Sequence, residues 1–550
     1  MRFPFPIFAF VAILGTLIVM PAATNVVTNR EPITLPAYEV TESRLLPPQE
    51  NGWAYARIPG FEVLSSLSNR DTRTFLRDTL LFMEAVEVIW PAIKNTPAPD
   101  TVVILCGQKD KKFESFLPKG VPFITISGAN IATYLFHDDE INACILTDRV
   151  IPSHSDKPDK VTNAVGLSSH AWRSQLQTRL QFLPIRIPPW LQESLVTIAA
   201  NLSIYEKENV TLGSVYDTTN PDPEVEVKIF GGRALDQSLA ELFNYKASDL
   251  DVNDTQKFDP TQRRTEYNRK QALAFTHMCL FGRGLRYQKP LNTFLILLAQ
   301  EPDGDKESLF RQAFKMSYRE MEDELSGYGQ FTDYTLKEYR AKRGQGLSEP
   351  IVPEVREAAD GEIARLAGEV YLLAGYPDRA REQMINAYRR GSRDPNLLSD
   401  LGTLELGPGG DPAKARKFLA VAVQSKTQRA SAYYNFAKIR LAELNSVSDR
   451  PNSSVQSEEL RQVFVFLGEA HARWHPVPPA KVFRLIAEAH RIRTGPIPKT
   501  DLQVLLQGIK LYPRDKDLAR MAKQLFTDNG FNKEALAITD FIRANQGKTN

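Results

Sequence analysis

Residues 361–391 read GEIARLAGEVYLLAGYPDRAREQMINAYRRG. Two runs of helical apolar spacing flank Gly375, a residue suited to a tight turn between helices. Ala367, Gly368, Tyr371, Ala380, Met384 and Ala387 fall at small, aromatic and packing positions of the two runs. Small side chains at fixed places let paired helices approach closely. Residues 395–424, PNLLSDLGTLELGPGGDPAKARKFLAVAVQ, repeat the pattern with Leu401, Gly402, Ala415, Leu419 and Ala422, around a small insertion at GPGGD. A third unit opens at ASAYYNFAKIRLAEL (430–444) and is interrupted by the polar stretch NSVSDRPNSSVQSEE. Degenerate helical pairs continue to the end, where Pro513, Ala522, Phe526, Gly530 and Ala535 keep repeat-like spacing. Such a pattern predicts an all-α solenoid in which each unit stacks on the next. We divide it into repeats over 359–443, a loop over 444–457 and degenerate helical repeats over 458–550.

Upstream the pattern changes. LKEYRAKRGQGLSEPIVPEVREA (336–358) carries Gly, Pro and charge with little periodicity, and reads as a linker. Residues 167–335 are mainly helical, with a loop-rich stretch over 209–264 that contains one amphipathic segment, RALDQSLAELFNY (233–245). Before it, FEVLSSL, TVVILCG, FITISG, ATYLF and ACILTD are strand candidates, and residues 71–95 have helical spacing. These predict a small mixed or antiparallel sheet.

Between the sheet and the helices lies HAWRSQLQTRLQFLPIRIPPWLQESL (170–195). Its first part has the frame of a His-Glu-x-x-His helix, in which two His one turn apart bind zinc and the Glu activates the bound water. His170 keeps the first position, Ala171 stands at the general base and Ser174 at the second ligand. PPWLQESL resembles the Pro-x-Trp-Leu-x-Glu segment that carries the third ligand, which falls on Glu193. Further matches in order are residues 61–90, followed by TVVILCG, then EYNRKQALAFTHMCLFG (266–282), PLNTFLILL from Pro290 and LFRQAFKMSYREMEDELSGY (309–328). Residues 56–335 thus resemble bacterial gluzincin zinc-peptidase-like proteins, and the region after 358 resembles tetratricopeptide repeats. The resemblance implies an α+β gluzincin-like domain, made of a small mixed sheet and a helical half, followed by an all-α solenoid. It also implies a peptidase fold that has lost its base and one ligand, and hence no catalytic residues, no retained zinc or other cofactor, and a function in binding a protein or peptide. The cleft, the repeats or both would hold that partner. The alternative is an active zinc metallopeptidase completed by ligands outside the motif.

Other chemistry is weaker. Glu193 beside Trp190 is as well explained by backbone N–H groups, Arg173 or Arg179 as by a metal. Ser174 and Ser194 lack a nucleophile elbow. His277 and Cys279 are two residues apart on a helix and point to different faces. Cys106 and Cys144 would pair only if their strands are neighbours; otherwise they are small buried hydrophobes. The formal net charge of +2 and scattered basic residues give no ground for nucleic-acid binding. The start, MRFPFPIFAFVAILGTLIVMPAAT, reads as a signal peptide or anchor over 1–23, followed by a polar tether over 24–55. This predicts an exported protein of the cell envelope that meets the membrane only through that segment, if uncleaved.

Overall fold

The computed structural model describes residues 34–38, 52–94, 96, 100–107, 112–116, 132–136, 140, 142–147, 167–181, 187–205, 209–213, 238–245, 260–301, 304–329, 337–340, 346–446, 454–474, 477–493, 495–512 and 515–546. The signal or anchor segment 1–23 and the FITISG strand candidate lie outside them.

Strands β1 (Ala54–Ile58) and β2 (Phe61–Ser65) form a hairpin, and α1 (Asn69–Ile89) and α2 (Pro91–Lys94) lead to β3 (Thr101–Cys106). Helix α3 (Lys112–Ser115), β4 (Ala132–Phe136) and β5 (Asn142–Thr147) follow. The sheet runs β4-β5-β3-β2-β1, with β2, β3 and β5 parallel and β1 and β4 antiparallel to their neighbours. β3 is apolar and buried throughout because both faces of the sheet are covered, as parallel strands require. Phe61, Val63, Val103, Leu105, Cys144 and Leu146 face the following helices. Leu64, Val102, Ile104, Cys106, Ala143 and Ile145 face the other way. Cys106 and Cys144 are therefore on neighbouring strands but opposite faces, with Cys106 opposite Thr147 and Cys144 opposite Val103, so they do not pair with each other. Ser68 caps α1, its Oγ accepting from the Asp71 amide at 3.1 Å.

The helical half comprises α4 (Leu167–Gln181), α5 (Pro189–Ala200), strands β6 (Ser203–Tyr205) and β7 (Asn209–Leu212), α6 (Leu239–Asn244), α7 (Pro260–Phe281), α8 (Gln288–Gln300), α9 (Lys306–Phe314), α10 (Tyr318–Gly329) and β8 (Lys337–Arg340). An aromatic cluster of Trp190, Phe243, Phe275, Phe294, Phe310 and Phe314 holds these helices together. Burying each such ring contributes about 2–3 kcal/mol. His277 on α7 belongs to this core: Nε2 donates to the Gly213 carbonyl at 2.7 Å and Nδ1 meets the Tyr328 hydroxyl at 2.7 Å. Burial lowers its pKa to about 4, so the ring is a neutral clamp.

The stretch read as a linker contributes to both sheets. β8 completes a three-stranded sheet β6-β7-β8, and β9 (Arg356–Glu357) extends the first sheet at β1. Helix pairs follow: α11 (Asp360–Leu373) with α12 (Pro377–Arg389), α13 (Pro395–Glu405) with α14 (Pro412–Gln424), and α15 (Ala430–Ser446) with α16 (Ser454–Arg473). The series ends with α17 (Ala480–Arg491), α18 (Lys499–Leu511), α19 (Lys516–Asp528) and α20 (Asn532–Gln546). The small residues act as their spacing predicts. A Cβ at Gly368 would lie 2.5 Å from Met384 Cε, and one at Gly402 would lie 2.6 Å from Leu419 Cγ. Gly375 turns the first pair at φ 84°. Asp394 and Asp411, each followed by Pro, cap α13 and α14 through their carboxylates.

α11 joins the two parts. Ile363, Leu366, Ala367 and Val370 cover the second face of the sheet, while Ala364 and Gly368 meet the next helices. A buried charge network runs through the same junction. Arg365 bonds Glu62 of β2 at 2.7 Å and Glu369 at 3.3 Å, and Arg429 also binds Glu369. Asp400 of α13 lies against Glu369, and burial, then Glu369, raises its carboxyl well above the usual range. Asp400 Oδ2 and Glu369 Oε2 otherwise lack hydrogen-bond partners. A proton on Asp400 would satisfy both oxygens and lessen the negative charge that Glu62, Glu369 and Asp394 already set against Arg365 and Arg429.

Candidate functional site

The candidate site is carried by α4 and α5. α4 presents Ala171, Trp172, Leu176 and Leu180 to the sheet and α1, and all four are fully buried. Trp172 lies against Phe61 and Phe82. Gln175 Nε2 donates to the Gly60 carbonyl at 3.0 Å, and Arg179 reaches Glu87 at 3.2 Å and the Ile93 carbonyl at 3.2 Å. The Ala171 position, where a general base would stand in the motif, therefore belongs to the sheet-facing core. The side chains at positions 170 and 174 lie outside the described ones.

α5 starts at Pro189, a position where the missing amide costs nothing. Trp190 is buried, and the Ser194 hydroxyl donates back to the Trp190 carbonyl at 2.7 Å, so Ser194 caps its own helix turn. Glu193 faces α4 and α7. Its Oε1 accepts from Arg173 of α4 and from Arg269 of α7. The three side chains are between 16% and 28% exposed, so the cluster is largely but not wholly withdrawn from water. Burial raises the Glu193 carboxyl, but Arg173 and Arg269 override it and hold the group below the usual carboxylate range. Two guanidiniums thus compensate the one carboxylate charge at this position. A metal here would compete with two fixed cations for one carboxylate. Among the described residues, no group of three or more His, Cys, Asp or Glu could hold a metal ion.

Of the residues singled out from sequence, the structure brings Glu193 to Arg173 and puts Ala171 in the core. It does not bring Arg179 to Glu193; that guanidinium lies 5.0 Å from the centroid of the Trp172 ring instead. Arg269 lies in the basic stretch RRTEYNRK (263–270), where no local spacing reports a partner on a helix 76 residues away. The buried charge network was missed too. Its only local trace is Arg365 and Glu369, two charges one turn apart inside the apolar run of α11.

A second site was not anticipated at all. Residues 34–38 (TLPAY), read as tether, pack against α12 and α14, with Leu35 and Tyr38 half-buried on their apolar surface. No protein-family model, curated protein or solved structure matches the chain.

Proposed function

We propose that this is an exported, peptidase-like protein that has given up hydrolysis and works by binding a protein or peptide partner. The observation that carries the reading is the double salt bridge at Glu193. The residue that aligns with the third zinc ligand of a gluzincin is neutralised by Arg173 and Arg269. Ala171 at the base position supports it, since a methyl group buried in the core cannot activate water. The paired helices with small residues at Gly368 and Gly402 support a tetratricopeptide-like solenoid as the second part. The inference from that architecture to partner binding rests on fold analogy. The apolar run Phe3–Val19 supports export.

The experiment passes a mixed peptide library over the immobilised full chain in the presence of zinc, and reads bound and flow-through peptides by mass spectrometry. The reading predicts that a subset is retained and that every peptide is recovered intact. New termini that appear only with zinc would overturn it in favour of an active metallopeptidase with ligands outside the motif. Intact peptides with none retained would overturn the binding half.

A further inference from the structure

The α11 side of the first helix pair is closed against the sheet. The other side, formed by the second helices α12 and α14, carries a groove that already holds a peptide. Residues 34–38 run over it without regular secondary structure. The Tyr38 ring stacks on Phe418 of α14 with centroids 5.9 Å apart, and meets Tyr388 of α12 edge-on at 5.9 Å. Lys414 Nζ lies 5.0 Å from the Tyr38 ring centroid. The Tyr38 hydroxyl donates to Glu405 Oε1 at 2.7 Å. Glu405 is 1% exposed and is held in place by Arg381 at 2.6 Å and the Asp411 amide at 2.8 Å. The Tyr388 hydroxyl donates to the Pro36 carbonyl at 2.8 Å, which fixes the segment's main chain.

These contacts select for a tyrosine over other aromatic residues. The ring contacts alone would accept any aromatic residue, but a buried, pre-positioned carboxylate rewards a hydroxyl donor at the pocket's end. The hydroxyl is kept protonated, because burial and then Glu405 push its pKa up. We propose that the α12–α14 groove is a binding site for extended segments bearing an aliphatic residue three positions before a tyrosine, and that Leu35–Tyr38 is its built-in occupant, which a partner segment of that pattern displaces. The proposal deepens the binding reading but does not depend on the state of the Glu193 site.

Thirteen residues separate Tyr38 from Gly52. Fully extended, they would reach about 45 Å. A tethered occupant competes at an effective concentration of order millimolar, so it masks the groove from a weak free peptide by about tenfold.

The test uses the full chain and a fluorescein-labelled peptide of residues 31–42, EPITLPAYEVTE, followed by anisotropy. The Tyr38→Ala chain should bind the peptide about tenfold more tightly than the unsubstituted chain. A Tyr38→Phe chain, which keeps the stacked ring and loses the hydroxyl, should fall between them. A peptide in which the tyrosine is replaced by alanine should bind none of the three chains. Equal affinity for all chains would place the peptide elsewhere and overturn the proposal. No binding to any chain up to about 1 mM, the effective concentration of the tether, would reduce the segment to a structural strap and overturn it as well. Peptide cleavage by the chain would count against the retired-enzyme reading without touching this one.

Discussion

The molecule contains two clusters of arginine and carboxylate that solve opposite problems. At Glu193, two guanidiniums converge on one carboxylate near the surface, and the cluster has a surplus of positive charge. At the junction of sheet and helices, Arg365 and Arg429 face Glu62, Glu369 and Asp400 deep in the interior, and the surplus is negative. Water can screen the first surplus because the arginines there remain partly exposed. The second lies deeper, and a proton on Asp400 reduces it. The same residue types thus yield a carboxylate held by two arginines near the surface in one place and a buried internal lock in the other.

The two clusters respond to pH in opposite senses. The Glu193 carboxyl lies below its ordinary value, so its contribution is present above the carboxylate range and is lost as pH falls. The Asp400 carboxyl lies above its ordinary value. Its contribution is complete at low pH and is lost as pH rises through the raised value.

The largest expected effect comes from Glu369→Gln. It removes the one carboxylate that bonds both Arg365 and Arg429 and should cost about 3–5 kcal/mol in denaturant unfolding. A loss under about 1 kcal/mol would mean that the junction tolerates unpaired charge and that the lock is not one. Glu193→Gln should cost less, about 1–2 kcal/mol, because Arg173 and Arg269 can turn to solvent. A cost equal to that of Glu369→Gln would erase the distinction between the clusters. The smallest change belongs to Asp400→Asn, which copies the protonated acid. It should stay within about 1 kcal/mol of the parent at low pH and become the more stable of the two as pH rises. A variant that parallels the parent at every pH would show that Asp400 does not hold the proton.

Legibility in the sequence followed the range of the interactions. Gly368, Gly402 and Gly375 could be placed because helix pairing is local and repeats its small residues at fixed spacing. TVVILC could be placed because a strand covered on both faces is a nearly continuous apolar run. β8 (KEYR) and β9 (Arg356–Glu357) could not, since short polar edge strands are defined by their neighbours rather than by their own pattern. Trp190 and Glu193 pointed to the right helix, and the Arg173 partner was among the expected ones. Arg269 and the docking of Tyr38 on Glu405 were invisible. They join residues 76 and 367 positions apart, and a single sequence carries no periodic trace of such pairs.

The proposed function has Arg173 and Arg269 at Glu193 in the place of a metal ion. Zinc stoichiometry tests it most directly. The full chain is equilibrated with excess zinc, desalted and measured by elemental analysis beside a His170→Ala variant. The account predicts less than about a tenth of an equivalent in both, far from the one ion per chain of a working catalytic site. Close to one equivalent in the parent, lost in the variant, would contradict it.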